Sequence, residues 1–291
     1  MKPIAESELI LNKDGSVYHL HLLPGDLADT VITVGDPDRV PRVSRYFDTI
    51  ELKKSKREFV THTGTINGKR ITAMSSGIST DNIDIVLNEL DALVNIDLEA
   101  RIPKTQLRKL NIIRIGTSGT IQADIPVDSL LVSKAAFGLD TLMHYYKREN
   151  TESEQQLLNA LKLALPKDGG FVPYIASADK GLLSELGQGM LQGITFTAPG
   201  FYAPQGREVR AHTAHPEFMT ALQQFNLNGQ RITNLEMETA GIYGLSSVLG
   251  HRAISFNVIL ANRSTLTFSK QPEKIVDNYI RQLLERIAGI L

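Results

Sequence analysis

The chain has 291 residues, 42% of them hydrophobic and 22% charged, and a formal net charge of −1. That is the balance of an ordinary globular protein; it argues against nucleic acid as a partner, and no apolar run reaches the roughly 20 residues that a membrane-spanning helix needs. Cysteine is absent, which excludes disulfides, thiolate catalysis and cysteine-ligated zinc, and with no basic-then-apolar leader at the N-terminus the expectation is a cytoplasmic protein.

Short β-branched runs alternate with helical patterns along the chain, with no internal repeat. His19, in Tyr18-His19-Leu20, reads as a strand residue. Residues 30–34 form the first buried strand, followed at once by Gly35-Asp36-Pro37-Asp38-Arg39. Asp36 as N-cap and Pro37 at the first helical position make good local chemistry. Alternatively, Gly35 lets backbone N–H groups approach an anion while Arg39 closes over it. The basic run 53–57, ending in Arg57, reads as a solvated face. After a strand at 70–75, residues 80–95 place Ile83, Val86, Leu87, Leu90, Leu93 and Val94 on one helical stripe, with Asp81 and Asp84 in the first turn.

The strand at 111–115 carries Arg114 among apolar neighbours, an expensive position unless something pairs with it. Gly116-Thr117-Ser118-Gly119 reads as a turn at the strand's end. A buried ion pair fits Arg114, and so does a bidentate anion contact of the kind arginine makes and lysine does not. Further strands are expected at 129–133, 172–176, 194–198, 231–235 and 252–260, and further helices at 152–165, 216–225, 236–249 and 273–291. Phe201-Tyr202-Ala203-Pro204-Gln205-Gly206-Arg207 is either a surface loop or a platform of ring, amide and guanidinium able to hold a flat heterocycle. In Glu236-Met237-Glu238 the carboxylates either serve a helix start or accept hydrogen bonds from a vicinal diol. Asn262-Arg263 closes the late strand. The alternation predicts one α/β domain over 1–291, with a central mixed, largely parallel sheet flanked by helices and ligands at the carboxyl ends of its strands.

Taken together and in this order, the GDPDR, RIGTSG, Phe-x-x-x-Gln-x-Arg, EMET and Asn-Arg segments resemble the nucleoside phosphorylase family, its uridine phosphorylases most of all. The resemblance implies phosphate contacts from Gly35, Arg39, Arg114 and Thr117, and ribose contacts from Thr117, Met237 and Glu238. It implies base recognition by Gln205 and Arg207 with Phe201 stacking, and catalytic roles for Arg114, Gln205, Arg207 and Glu238. His19, toward the ribose, and Arg57, toward the phosphate, would reach into a neighbouring subunit's site. The implied assembly is therefore a homo-oligomer, a dimer or a trimer of dimers. Inorganic phosphate would be a co-substrate, with no cofactor. Two positions depart from the family pattern: Ser79 replaces the second Gly of a Gly-Ile-Gly turn, and Asn82 replaces a Ser, which argues against a monovalent cation at Glu58. Segments 98–109 and 140–190 match the family pattern poorly, and no site residues are expected from them.

Three rival readings remain. A purine nucleoside phosphorylase or nucleosidase on the same fold would use an Asp where this chain has Asn262. A zinc hydrolase would use His19 and His21 on one strand face. A nucleoside-binding protein without activity would share the fold.

Overall fold

The computed structural model describes residues 2–290. The strands are β1 (Thr30–Val34), β2 (Thr49–Lys56), β3 (Phe59–Ile66), β4 (Lys69–Ser75), β5 (Ile96–Asp97), β6 (Ile102–Pro103), β7 (Asn111–Thr120), β8 (Leu130–Gly138), β9 (Tyr174–Ser177), β10 (Leu191–Thr197), β11 (Asn226–Leu227), β12 (Gln230–Glu236), β13 (Arg252–Asn262) and β14 (Thr267–Phe268). The helices are α1 (Arg39–Ser44), α2 (Thr80–Asn95), α3 (Glu152–Ala164), α4 (Lys180–Leu186), α5 (Phe218–Gln224), α6 (Thr239–Leu249) and α7 (Pro272–Ile290). No described helix is long and apolar enough to cross a membrane.

One mixed sheet runs β11-β12-β10-β8-β13-β7-β1-β4-β3-β2, and a further pairing of β12 with β7 closes β12, β10, β8, β13 and β7 into a ring. The ring has a physical seam at β7. Along one edge β7 is parallel to β13 over its whole length. Along the other, β1 pairs with residues 111–114, and β12 pairs only with Gly119 and Thr120. Between them the edge from Ile115 to Ser118 is left open. Strands diverging at such a point leave a crevice at their carboxyl ends, where α/β proteins bind ligands. Apolar clusters pack both sheet faces: α2 and α6 cover one, and α7 with α1 covers the other through Val276, Ile280, Leu283 and Ile287.

The expected α/β architecture is present, and α2 has the bounds its apolar stripe predicted. Several local expectations need correction. Residues 116–119 are not a turn: β7 continues through them to Thr120, because β13 and then β12 supply ladder partners. Asp36 is not an N-cap, since α1 starts at Arg39; its Oδ1 instead accepts the Asp38 N–H at 2.9 Å in a tight turn. Asp84 lies beyond the first turn of α2, where Asp81 is the acidic residue. The helix expected from 236 begins at Thr239. His19 sits in a turn rather than a strand, and residues 53–56 belong to β2. The predicted last helix ends at Ile290, Leu291 lying outside the described residues.

Candidate active site

The crevice at the β7 seam holds a cavity of about 300 Å³ that gathers Gly35, Arg39, Arg114, Thr117, Phe201, Gln205, Arg207, Met237 and Glu238. Nine of the eleven residues singled out from the sequence thus line one space. They arrive from four directions: the β1–α1 turn, the open edge of β7, the β12–α6 junction and the loop after β10.

One wall is cationic. Arg114 is buried, at 5% exposure, and crosses Gly116 so closely that a Cβ there would lie 1.9 Å from its Nη1. This is the physical reason for glycine after Arg-Ile. Arg114 Nη2 donates to Glu238 Oε2 at 2.6 Å and stands 3.2 Å from Glu236 Oε2, while Nη1 donates to Asn257 Oδ1 at 2.9 Å. Burial disfavours its charge, but the two glutamates more than compensate and hold it above the ordinary arginine value. The ion-pair reading of Arg114 is borne out, and the residue also lines the cavity.

Arg39 stands differently. Burial and the Arg114 charge beside it pull it below the ordinary value. Its Nη1 reaches only the Ile115 carbonyl, at 3.5 Å, and its buried Nε finds no hydrogen-bond partner among the described residues. Among the described residues no carboxylate forms a salt bridge with it. A half-buried guanidinium lacking an anion beside a second one is a site that gains free energy from an incoming dianion.

The central carboxylates divide their work. Glu236 Oε2 accepts the backbone N–H groups of Glu238 and Thr239, both at 2.9 Å, and Oε1 accepts the Thr197 hydroxyl at 2.6 Å. It therefore serves the start of α6. Burial raises its pKa, with the Glu238 charge adding to the effect and Arg114 opposing it. Glu238 lines the cavity as Glu236 does, and its Oε1 accepts the Ser79 N–H at 3.0 Å. Ser79 makes that bond at φ +87° and ψ 157°, a conformation that costs an L-residue free energy and that glycine adopts readily. Gly77, two residues earlier, has no alternative, because a Cβ there would meet Asn82 Nδ2 at 2.2 Å and Glu58 Cγ at 3.2 Å.

The third wall is the loop after β10. Gln205 is only 2% exposed, and its Oε1 accepts Arg207 Nη1 at 2.6 Å, which fixes the direction of the amide. Arg207 also stacks 3.9 Å over the Phe201 ring and donates to the Phe201 carbonyl at 2.7 Å. Burial, with Arg263 nearby, lowers its pKa to about 10. Arg263 itself clamps the loop by donating to the carbonyls of Gln205 and Gly206.

Position 262 needs reinterpretation. Asn262 Nδ2 donates to the Gln122 and Ile125 carbonyls, and Oδ1 accepts the Ser264 and Thr265 N–H groups. Its amide is fully used by backbone and does not line the cavity.

His19 and Arg57 do not line this cavity, yet they lie together. His19 Nδ1 is 2.6 Å from Glu89 Oε1, which leaves Nε2 free, and its ring packs edge-on against Tyr18 at 4.9 Å. Arg57, at φ +55° in the turn between β2 and β3, lies 5.9 Å from the Tyr18 ring, with Lys56 at 4.7 Å. His21 bonds Asp14 instead, so the two histidines do not share a strand face as a zinc pair would require. Phe268 also lines the cavity, on β14, and the sequence reading missed it by ending the late strand at 260. The Thr267–Phe268 step after a turn was the available signal.

Residues 29–290 match the Phosphorylase superfamily. The chain is 32% identical over 262 residues to a uridine phosphorylase of Thermococcus kodakarensis, covering 90% of this chain and 83% of that protein. It is 25% identical over 279 residues to a DeoD-type purine nucleoside phosphorylase of Colwellia psychrerythraea, covering 92% and 98%. A crystal structure of a Trypanosoma brucei nucleoside phosphorylase, described as showing uridine phosphorylase activity, superposes with a TM-score of 0.88 at 30% identity, covering 97% of this chain and 99% of that one. The match spans almost the whole chain, which belongs to the phosphorylase superfamily.

Proposed function

We propose that this protein is a uridine phosphorylase, converting uridine and phosphate reversibly to uracil and ribose 1-phosphate in pyrimidine nucleoside salvage. The observation that carries the reading is the pair Arg39 and Arg114: a half-buried and a buried guanidinium lining one cavity, the first without a carboxylate among the described residues, with the Phe201, Gln205 and Arg207 loop lining the same space. A hydrolase has little use for such an anion wall.

In this reading phosphate is held by Arg39, Arg114, the Gly35 backbone and Thr117, and the ribose hydroxyls meet Glu238, Met237 and Thr117. A phosphate oxygen bonds to C1′ as the C1′–N1 bond breaks and its electron pair passes to the uracil ring. The ribosyl group gains positive character and the leaving base negative character. Gln205 and Arg207 hydrogen-bond to that developing negative charge, and Phe201 stacks on the ring. The arginines contribute by alignment, holding the nucleophile in line. Phosphate is the co-substrate, and no cofactor enters the chemistry.

The clustering of His19 and Arg57 away from the chain's own cavity supports a shared site, in which each reaches a partner subunit's ribose and phosphate. A two-fold homodimer, alone or as part of a trimer of dimers, meets that need. A cytoplasmic location suits such a salvage enzyme. The deciding experiment is product analysis with uridine and with inosine, each with and without phosphate. Uracil and ribose 1-phosphate should appear only when phosphate is present, and inosine should be a poor substrate. Equal cleavage of uridine without phosphate would make the protein a nucleosidase.

A further inference from the structure

The closed ring of strands has a polar interior belt that starts and ends at the cavity. Ser118 on β7 accepts from Asn234 Nδ2 on β12 at 3.0 Å. Asn234 Oδ1 accepts from Thr195 on β10 at 3.0 Å, and Thr195 shares a hydrogen bond of 2.5 Å with Ser133 on β8. Ser133 Oγ accepts from Asn257 Nδ2 on β13 at 2.9 Å, and Asn257 Oδ1 accepts from Arg114 on β7 at 2.9 Å. Each of the five ring strands supplies at least one member. Asn234, Thr195, Ser133 and Asn257 are each 0% exposed. An asparagine in the apolar run Phe256-Asn257-Val258-Ile259 costs free energy unless its amide is satisfied, and here all of its partners are supplied.

We propose that Asn257 is the positioning residue for Arg114, and that the belt sets the angle at which the guanidinium meets phosphate; the inference rests on the phosphorolytic reading above. The chemistry fixes the amide's orientation. Arginine only donates, so Oδ1 must face it, and Nδ2 then faces the hydroxyls of Ser133 and, at 3.3 Å, Ser255. Arg114 is thereby held through both terminal nitrogens, Nη1 by Asn257 and Nη2 by Glu238 with Glu236 3.2 Å away. Both glutamates meet Nη2, so Asn257 is what fixes Nη1. A neutral amide at 257 also holds the guanidinium without cancelling its charge, which a third carboxylate beside Glu236 and Glu238 would do.

The test compares Asn257→Leu and Ser133→Ala with the unaltered enzyme, reading KM for phosphate, KM for uridine, and the thermal shift produced by inorganic phosphate. Asn257→Leu should raise the phosphate KM about tenfold, the scale of one lost hydrogen bond, with the uridine KM within about twofold of its starting value. The phosphate-induced thermal shift should shrink in parallel. Ser133→Ala, which loosens Asn257 without touching Arg114, should do the same to a lesser degree. Equal rises in both KM values would mark a merely structural role and overturn the inference. So would an unshifted phosphate KM in Asn257→Leu, or, should that variant fail to fold, an unshifted phosphate KM in Ser133→Ala. If the unaltered enzyme cleaves uridine without phosphate, the functional reading fails instead. If it is phosphate-dependent and the variants are unshifted, only the role of Asn257 fails.

Discussion

Replacing Gly116 by alanine adds one methyl group and should disable phosphate use. A Cβ at 116 would stand 1.9 Å from Arg114 Nη1, 2.3 Å from Cζ and 2.6 Å from Nη2. To reach an ordinary contact of 3.4 Å the guanidinium must retreat by about 1.5 Å. It cannot do so and keep its bonds of 2.9 Å to Asn257 and 2.6 Å to Glu238. Two costs follow. Disrupting a buried ion pair costs about 3–5 kcal/mol of stability, so the melting temperature should fall. Losing a charged hydrogen bond to a buried ligand costs at least about 2 kcal/mol, or roughly 30-fold in affinity. The assay is initial velocity at saturating uridine with phosphate varied, alongside circular dichroism to establish folding. A folded Gly116→Ala enzyme whose phosphate KM lies within about threefold of the original would refute the argument that Arg114 crosses this glycine to reach the anion.

Two further outcomes follow from the site. Glu236 prefers its neutral form more than an ordinary glutamate does, because burial dominates its environment. As pH falls it should take up its proton above the usual glutamate range, weakening the α6 cap and the Arg114 pair. Between the unfolded and the raised folded pKa the native state binds more protons, so this group's contribution to stability declines as pH rises through that window. The acid limb of kcat/KM should therefore lie above the usual glutamate range and move in Glu236→Gln; an unmoved limb assigns it to another group. Mixing Arg57→Ala with Arg114→Ala under subunit exchange should restore part of the lost activity, since one site of a mixed dimer would carry neither lesion. Verified exchange without recovery would show that Arg57 does not act across the interface.

What could be read from the sequence followed how strongly local chemistry and final structure agree. Helix α2 was legible because its core stripe is unbroken from Ile83 to Val94. The hairpin of β2 and β3 was not, because β2 is an edge strand with exposed and half-exposed positions only; its lysines are what an edge strand tolerates and what a solvated loop also shows. Gly116-Thr117-Ser118-Gly119 has the composition of a turn, and only the non-local ladder from β13 and β12 makes it a strand. The residues that line the cavity were singled out through their combination and order. Their hydrogen-bond partners were not: nothing local separates Glu236, which accepts two backbone N–H groups at the start of α6, from Glu238, which accepts from Ser79. Asn262 illustrates the same limit, since its amide is claimed by the backbone of a distant loop. Asn257 was the readable clue left unread, a polar residue where an apolar strand should not carry one.

The closed ring of strands has a kinetic consequence. With β7 bonded to β13 along one edge and to β1 and β12 along the other, the cavity floor cannot widen without breaking several ladders at once. Breathing of the site is confined to its movable borders, the loop that carries Phe201 and the turn before β14, where Leu266 sits at φ +57° and is 90% exposed. Hydrogen exchange should accordingly divide the site in two, with the amides of β7 and β13 opening only with global unfolding and those near 201–213 exchanging quickly. Ligand exit would then keep time with two surface segments, and the turnover ceiling would be set by their opening rather than by the rigid floor on which the bond is broken.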